Sequence, residues 1–169
     1  GEWSITNLCL EEIFNKLINL NFNIVYRPHP KSVVDEKKFL KKMENAYSKK
    51  IKFQYEISST NFLNYVDILI TDWSGFAFEY YLTTSKSIIF IDTPPKIRNK
   101  DFKKLKLKPL EDTIRKKIGY VLDLKSIKNI NNLILKILSK NNYHCKKISI
   151  IHDYKSNYKN LLREIKINL

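Results

Sequence analysis

The stretch from Tyr65 to Asp92 constrains the fold more than any other part of the chain. Residues Asp67 to Thr71 form a short run with an apolar centre, as expected of a strand buried on both faces in a parallel sheet. Asp72 ends the run, and Ser74 and Gly75 follow. Phe76, Ala77, Tyr80 and Tyr81 then recur at helical spacing, which predicts a helix with Ser74 as its N-cap. After a short polar break, Ser87 to Ile91 read as a second buried strand. A strand, a tight turn and a helix start aim free N–H groups and the helix dipole at the carboxyl end of the sheet. That arrangement suits an anion. A plain strand-to-helix turn capped by a serine fits the same residues.

The rest of the chain repeats this alternation. Leu8, Leu10, Ile13, Phe14, Leu17 and Ile18 predict an amphipathic helix with Glu11 and Glu12 near its start. Phe22 to Tyr26 predict a strand stopped by Pro28 and Pro30, with His29 between the prolines. Val33 to Tyr47 read as one helix and Ile51 to Tyr55 as a short strand. Ser58, Ser59 and Thr60 offer caps for a short helix through Leu63. Residues 92–110 show no period, and irregular segments of that length tend to be functional or mobile. Glu111 to Lys117 predict a short helix and Gly119 to Leu122 a last strand. Ser126 is the expected cap of a helix bearing Ile127, Ile130, Ile134 and Ile137. A polar linker follows, and Asp153 is the expected cap of a final helix. Strands alternating with helices imply an α/β fold with a parallel sheet, flanking helices and right-handed crossovers.

Charge is the other strong signal. The formal net charge is +14, which fits nucleic acid, an anionic membrane surface or an anionic substrate. Only four of the 31 basic residues are arginine, so lysine-rich codon usage explains the balance as well. Basic residues concentrate between Lys96 and Lys117, either as a solvated loop or as a patch facing anionic lipid or a phosphate polymer. No apolar run approaches the roughly 20 residues of a membrane span. Cys9 and Cys145 match no metal spacing, and His144, Cys145 and His152 lack a fourth zinc ligand. A cytoplasmic protein without a metal or cofactor is expected.

Three motifs in order carry a family resemblance: Val25-Tyr26-Arg27-Pro28-His29-Pro30, Thr71-Asp72-Trp73-Ser74-Gly75-Phe76-Ala77-Phe78-Glu79, and Arg115-Lys116-Lys117-Ile118-Gly119. They resemble the Lys/Arg-Pro-His-Pro, Thr-Asp-Tyr-Ser-Ser and Arg-x-x-Ile-Gly segments of the CDP-glycerol glycerophosphotransferases, which polymerise teichoic acids and related capsules. The resemblance covers roughly residues 1–140 and implies a Rossmann-like domain that binds the CDP-activated donor, the C-terminal half of a GT-B fold. Residues 141–169 would form a linker and C-terminal helix. In the family's strand order, 3-2-1-4-5-6, the strand numbered 1 would lie before Gly1. The chain is therefore expected to be a fragment, truncated at its N-terminus, marginally stable and inactive alone.

The resemblance also implies roles. An acceptor hydroxyl attacks the donor's β-phosphorus and CMP leaves. His29 would be catalytic, donating to a phosphate oxygen. Arg27, Ser74, Gly75, Phe76 and Arg115 would bind substrate, Glu79 would meet the ribose, and Asp72 would orient the turn. Gly75 stands where the family has a second serine, which removes a hydroxyl and permits closer backbone approach. The implied partners are a CDP-alcohol and a polyol-phosphate or glycan acceptor; the basic segment, if it is not a solvated loop, adds an anionic membrane surface at the inner face of the cell membrane. The alternatives are the donor half of a nucleotide-sugar glycosyltransferase and a basic nucleic-acid-binding domain. The spaced motifs favour the first reading, and no nucleic-acid partner is expected because no recognised interleaved basic and aromatic motif is present.

Overall fold

The structure, a computed structural model, describes residues 3–55, 60–95 and 110–139, without side-chain detail for 60–62 and 110–113. Ser58 and Ser59, most of the basic segment, the His144, Cys145 and His152 trio and the Asp153-capped helix lie outside the described residues.

Strands and helices alternate, as the sequence predicts. The chain begins with α1 (Ile5–Leu8) and α2 (Leu10–Leu17), not one continuous helix. The break is at Cys9, whose φ of −155° and ψ of 10° are not helical. Strand β1 covers Ile24–Tyr26. The predicted helix over Val33–Tyr47 is also two helices, α3 (Pro30–Asp35) and α4 (Lys37–Tyr47), interrupted at Glu36. Strand β2 is Ile51–Phe53, and a 3₁₀ turn over Thr60–Tyr65 leads into β3 (Ile68–Thr71). Helix α5 (Phe76–Thr84), β4 (Ser87–Asp92), α6 (Leu110–Ile118) and β5 (Gly119–Asp123) follow. The expected Ser126 cap is replaced by Asp123, whose carboxylate accepts from the Lys125 N–H and starts a 3₁₀ turn. The last described helix, α7, runs Ile130–Ser139.

All strand pairs are parallel, but the five strands form two sheets among the described residues. β1 pairs with β2, and β3, β4 and β5 pair in that order. β1 and β3 do not pair with each other. The consequence is legible in burial. Strand β4 has a neighbour on each side and is buried from Ser87 to Ile91. Strand β3 has one, and all four of its residues are only half-buried. Both faces of β3 are covered, Ile68 and Ile70 packing into one core and Leu69 into the other, and its residues stay half-buried because one edge has no partner strand among the described residues.

The two sheets nevertheless share a core. Ile24 of β1 and Ile68 and Ile70 of β3 pack with Ile13 and Leu17 of α2, Ile89 and Ile91 of β4, and Ile130, Ile134 and Ile137 of α7. Each fully buried aliphatic side chain of this kind stabilises the fold by about 1.5–3 kcal/mol. The opposite face of β4 packs Ile88 and Phe90 against Ala77, Tyr80 and Tyr81 of α5 and Ile114 and Ile118 of α6. A third cluster joins Phe14 and Met43 to Ile51, with Tyr26, Tyr47 and Phe53 set edge-on around Phe14.

Gly119 opens β5 where no side chain fits, because a Cβ there would collide with the Ile88 carbonyl oxygen of β4. Gly119→Ala should destabilise the fold by about 1–3 kcal/mol, the usual cost of overpacking, measurable as a lower urea midpoint.

A second expectation concerns alkaline pH. Burial, then the charges of Glu12 and Asp72, pushes the Cys9 thiol up from 9.0 to about 12. Burial also pushes the Tyr26 phenol from 10.0 to about 12, with Glu36 and Asp72 adding to it against the opposing Thr6 hydrogen bond. The unfolded chain releases both protons first, so stability is full below about pH 9 and falls as pH rises towards 12. Urea midpoints at pH 8, 10 and 11 should decrease in that order, and Cys9→Ala should make the decline shallower.

Candidate functional site

The site is assembled by the short helix α1, which ties the carboxyl ends of β1 and β3 together. The Ile5 N–H at the start of α1 donates to Asp72 Oδ2 at 3.3 Å, just beyond the end of β3. One residue on, the Thr6 hydroxyl lies 3.1 Å from the hydroxyl of Tyr26, the last residue of β1. Asn7 Nδ2 donates to Glu36 Oε1 at 3.1 Å and so reaches the junction of α3 and α4. The segments that follow β1 and β3 therefore open on the same edge. His29 lies three positions after Tyr26, and Ser74 two positions after Asp72.

His29 is exposed and serves as the N-cap of α3. Its Nδ1 accepts from the Lys31 N–H at 3.1 Å. That bond leaves the proton of the neutral ring on Nε2, as an outward-facing donor. Pro28 before it is buried and Pro30 occupies the first helical position, so the backbone on both sides is restricted. Arg27 is half-buried at the end of β1.

On the β3 side, Gly75 occupies the N-cap position of α5 and Ser74 stands one residue earlier, a shift of one from the sequence prediction. Ser74 still caps in effect. Its Oγ accepts from the Phe76 N–H at 3.3 Å, and its carbonyl accepts from the Ala77 N–H at 3.1 Å. The Phe76 N–H expected to face a phosphate thus already has a partner, at the long end of hydrogen bonding. Gly75 has an ordinary helical φ of −58°, and nothing lies within 4 Å of where its Cβ would sit. The expected closer approach is therefore not to protein; the open space lies on the solvent side of the turn. Glu79 is exposed one turn into α5, away from buried Ala77, Tyr80 and Tyr81.

Asp72 is held by the α1 start and contributes its charge to the raised pKa of Cys9 and of Tyr26. Arg115 is set differently from the other candidates. It is 4% exposed, and its guanidinium donates to Asp92 Oδ1 at 2.9 Å and to the Ile91 carbonyl at 3.2 Å. It also stacks 4.0 Å from the centre of the Trp73 ring. The indole N–H of Trp73 donates to the Thr93 carbonyl at 2.6 Å. A cavity of about 430 Å³ opens beside these groups, lined also by Pro94, Pro95, Lys116 and Leu124. Arg115 thus has almost no surface left for a ligand.

Asp72 is linked through α1 to the Tyr26 end of β1, His29 caps α3, Ser74 and Gly75 follow Asp72 at the start of α5, Glu79 is exposed one turn on, and Arg115 is buried against Trp73. Sequence reasoning missed Thr6, Asn7 and Glu36, which join the two strand ends, and the partnership of Trp73 with Thr93 and Arg115. Trp73 stood inside a recognised motif and could have been singled out, but its partners come from distant elements.

A family model described as CDP-Glycerol:Poly(glycerophosphate) glycerophosphotransferase matches residues 4–93. The matched span runs from the α1 start through His29 and the β3–α5 turn to Thr93. No curated protein and no solved structure matches the chain.

Two demands on Gly75 can be separated. Gly75→Ala fits the observed φ and the open space, so it should stabilise the fold by about 0.4–1 kcal/mol through the unfolded chain. If a phosphate packs on this backbone, the same substitution weakens ligand binding. Thermal melts and nucleotide titrations of one variant read both effects.

Proposed function

Because the chain belongs to the CDP-glycerol:poly(glycerophosphate) glycerophosphotransferase family, we propose that its carboxyl edge binds the pyrophosphate of a CDP-alcohol for transfer of a polyol phosphate to a teichoic-acid or capsule-type acceptor. The family implies a CDP-alcohol donor and a polyol or glycan acceptor in general terms. The finer reading, that this chain is the donor-binding part, rests on one observation. Helix α1 links Asp72 beyond β3 to Tyr26 at the end of β1, which supports a shared edge for the His29 segment and the start of α5.

The chemistry asked of this edge is limited. The acceptor hydroxyl oxygen forms a bond to the β-phosphorus and releases its proton to solvent as the bond to the bridging oxygen breaks, and CMP carries away the electron pair. Charge grows on the departing phosphate, and fixed donors aimed at it lower the barrier. His29 offers Nε2–H in the tautomer set by its cap. The first turn of α5 offers the positive end of its dipole, with the Gly75 N–H and the Ser74 hydroxyl beside it. Arg27 adds a cation near the end of β1. Glu79 would meet the ribose only if the nucleotide extends along the outer face of α5. Asp72 keeps the role of holding the two strand ends together.

The basic stretch between Lys96 and Lys117 fits a solvated loop as well as a face toward an anionic membrane surface. Among the described residues, no helix is long and apolar enough to cross a membrane.

A binding series discriminates the readings. CDP-glycerol or CDP-ribitol should bind this chain in preference to a UDP-sugar and a short oligonucleotide of equal concentration. Preference for the UDP-sugar would move the chain to the nucleotide-sugar transferases, and preference for the oligonucleotide would end the transferase reading of the charge. In an enzyme competent for transfer, His29→Ala should lower the rate by on the order of a hundredfold, as for loss of one preorganised donor. Wild-type rates in a folded His29→Ala enzyme would leave the phosphate to the helix start alone.

A further inference from the structure

We infer that Arg115 is a positioning residue: it holds Trp73, and through Trp73 it fixes the Ser74–Gly75 turn at the start of α5. The inference rests on the reading of that turn as the phosphate-binding part of the donor site, and it extends that site to a residue outside the family match, which ends at residue 93.

The turn's backbone bonds run forward into α5, where the Ser74 and Gly75 carbonyls accept from the Ala77 and Phe78 N–H groups at 3.1 and 3.0 Å, and neither bond holds Trp73. The Ser74 Oγ bond to the Phe76 N–H is long, at 3.3 Å. Gly75 carries no side chain, and nothing lies within 4 Å of its Cβ direction. The body of α5 is anchored separately, by buried Ala77, Tyr80 and Tyr81 and by the Tyr80 hydroxyl donating to the Val66 carbonyl at 3.0 Å. What remains to be fixed is the link between the end of β3 and the first turn of α5, and Trp73 stands in it.

Trp73 is held from two directions. Its indole N–H reaches the Thr93 carbonyl beyond the end of β4. Its face carries the Arg115 guanidinium at 4.0 Å. The guanidinium is fixed in turn by Asp92 Oδ1, the Ile91 carbonyl and the Phe90 ring, 5.2 Å from its centre. An edge anchor and a face anchor together settle both side-chain torsions of an indole. The backbone leaving Trp73 then has a defined direction into Ser74.

A direct ligand role for Arg115 fits less well. The residue is 4% exposed, and its charge is already matched by Asp92. Its Nε is buried without a partner among the described residues, so orientation depends on the two Nη contacts and the ring stack. That combination needs a planar fork that can donate and stack at once, which lysine cannot supply.

The experiment compares Arg115→Met, Arg115→Lys, Trp73→Leu and the Arg115→Met/Trp73→Leu double variant. Amide hydrogen exchange is read at Ser74, Gly75 and Phe76 against Ile88–Ile91, and CDP-glycerol affinity is read in parallel. Each single variant should speed exchange at the turn about tenfold or more beyond any change in β4, and weaken CDP-glycerol about tenfold, within the range of coupling between contacting residues. The double variant should be no worse than the worse single, because Arg115 acts through Trp73. Wild-type exchange and affinity in Arg115→Lys would overturn the inference. So would losses that multiply in the double variant, or exchange that rises equally in the turn and in β4. If Arg115→Met does not fold, Trp73→Phe keeps a ring for Arg115 but loses the Thr93 bond. It should loosen the same three amides, and an unchanged turn would count against the inference. Amide exchange needs no ligand. A wild-type chain that ignores CDP-glycerol while Arg115→Met loosens the turn would end the donor reading and leave the positioning role standing.

Discussion

The hydrogen bond from the Ile5 N–H to Asp72 is the constraint on which the site depends. The strands that carry the two motifs are not paired with each other, so no backbone ladder sets the position of one motif against the other. The shared aliphatic core holds the sheets in one layer, but apolar packing is not directional. Directionality comes from α1. Its first N–H is an unsatisfied helix-end donor, and a carboxylate is the strongest neutralising partner for such a group. Asp72 therefore serves the architecture at some cost to the ligand, because it places a negative charge near a proposed anion site. The bond to the helix start offsets part of that charge. Thr6 and Tyr26 complete the tie on the β1 side.

Much of the fold was legible in the sequence because its signals are local. The alternation of short apolar runs with helical periods gave every described strand, and each was parallel in the structure. Errors fell where local periodicity is blind. Leu8 to Ile18 keep one amphipathic period across Cys9, yet the backbone breaks there, because α1 must turn to meet Asp72 while α2 lies in the core. The same holds at Glu36, where α3 is tied to the His29 cap and α4 packs Leu40 and Met43 inward. The Ser126 cap failed because Asp123, three residues earlier, offers a stronger acceptor to the Lys125 N–H at 2.7 Å. The half-exposure of β3 could not be read from Ile68 to Thr71, since an apolar run does not say how many neighbours a strand has.

For the candidate site, the motifs single out His29, Ser74 and Gly75, each in a segment that follows a strand at its carboxyl end, where open α/β sheets tend to place function. What lay beyond the sequence was which of the motif arginines the fold encloses. Arg27 and Arg115 look alike in the sequence, each an arginine in a family motif. One is half-buried at the end of β1, whereas the other is enclosed between Trp73, Phe90 and Asp92. Burial decides between them, because a guanidinium removed from water must have its partners in the protein.

The Arg115–Asp92 pair also shows how the carboxyl edge divides its charges. Asp92 is 45% exposed and Arg115 almost fully buried, so the pair presents its carboxylate outward and its cation inward. Breaking such a pair from the acid side leaves a buried cation with only the Ile91 carbonyl and the ring stack as partners. Asp92 therefore cannot move towards an incoming ligand without uncovering Arg115. In the proposed donor site, the polar groups that answer a phosphate are therefore the His29 ring and the first turn of α5. Rigid groups thus surround the β3–α5 turn on its inner side, and donors with a free face lie on its outer side. The proposed phosphate role of the turn calls for that division, since its backbone must be settled before the anion arrives if the donors are to act without reorganising.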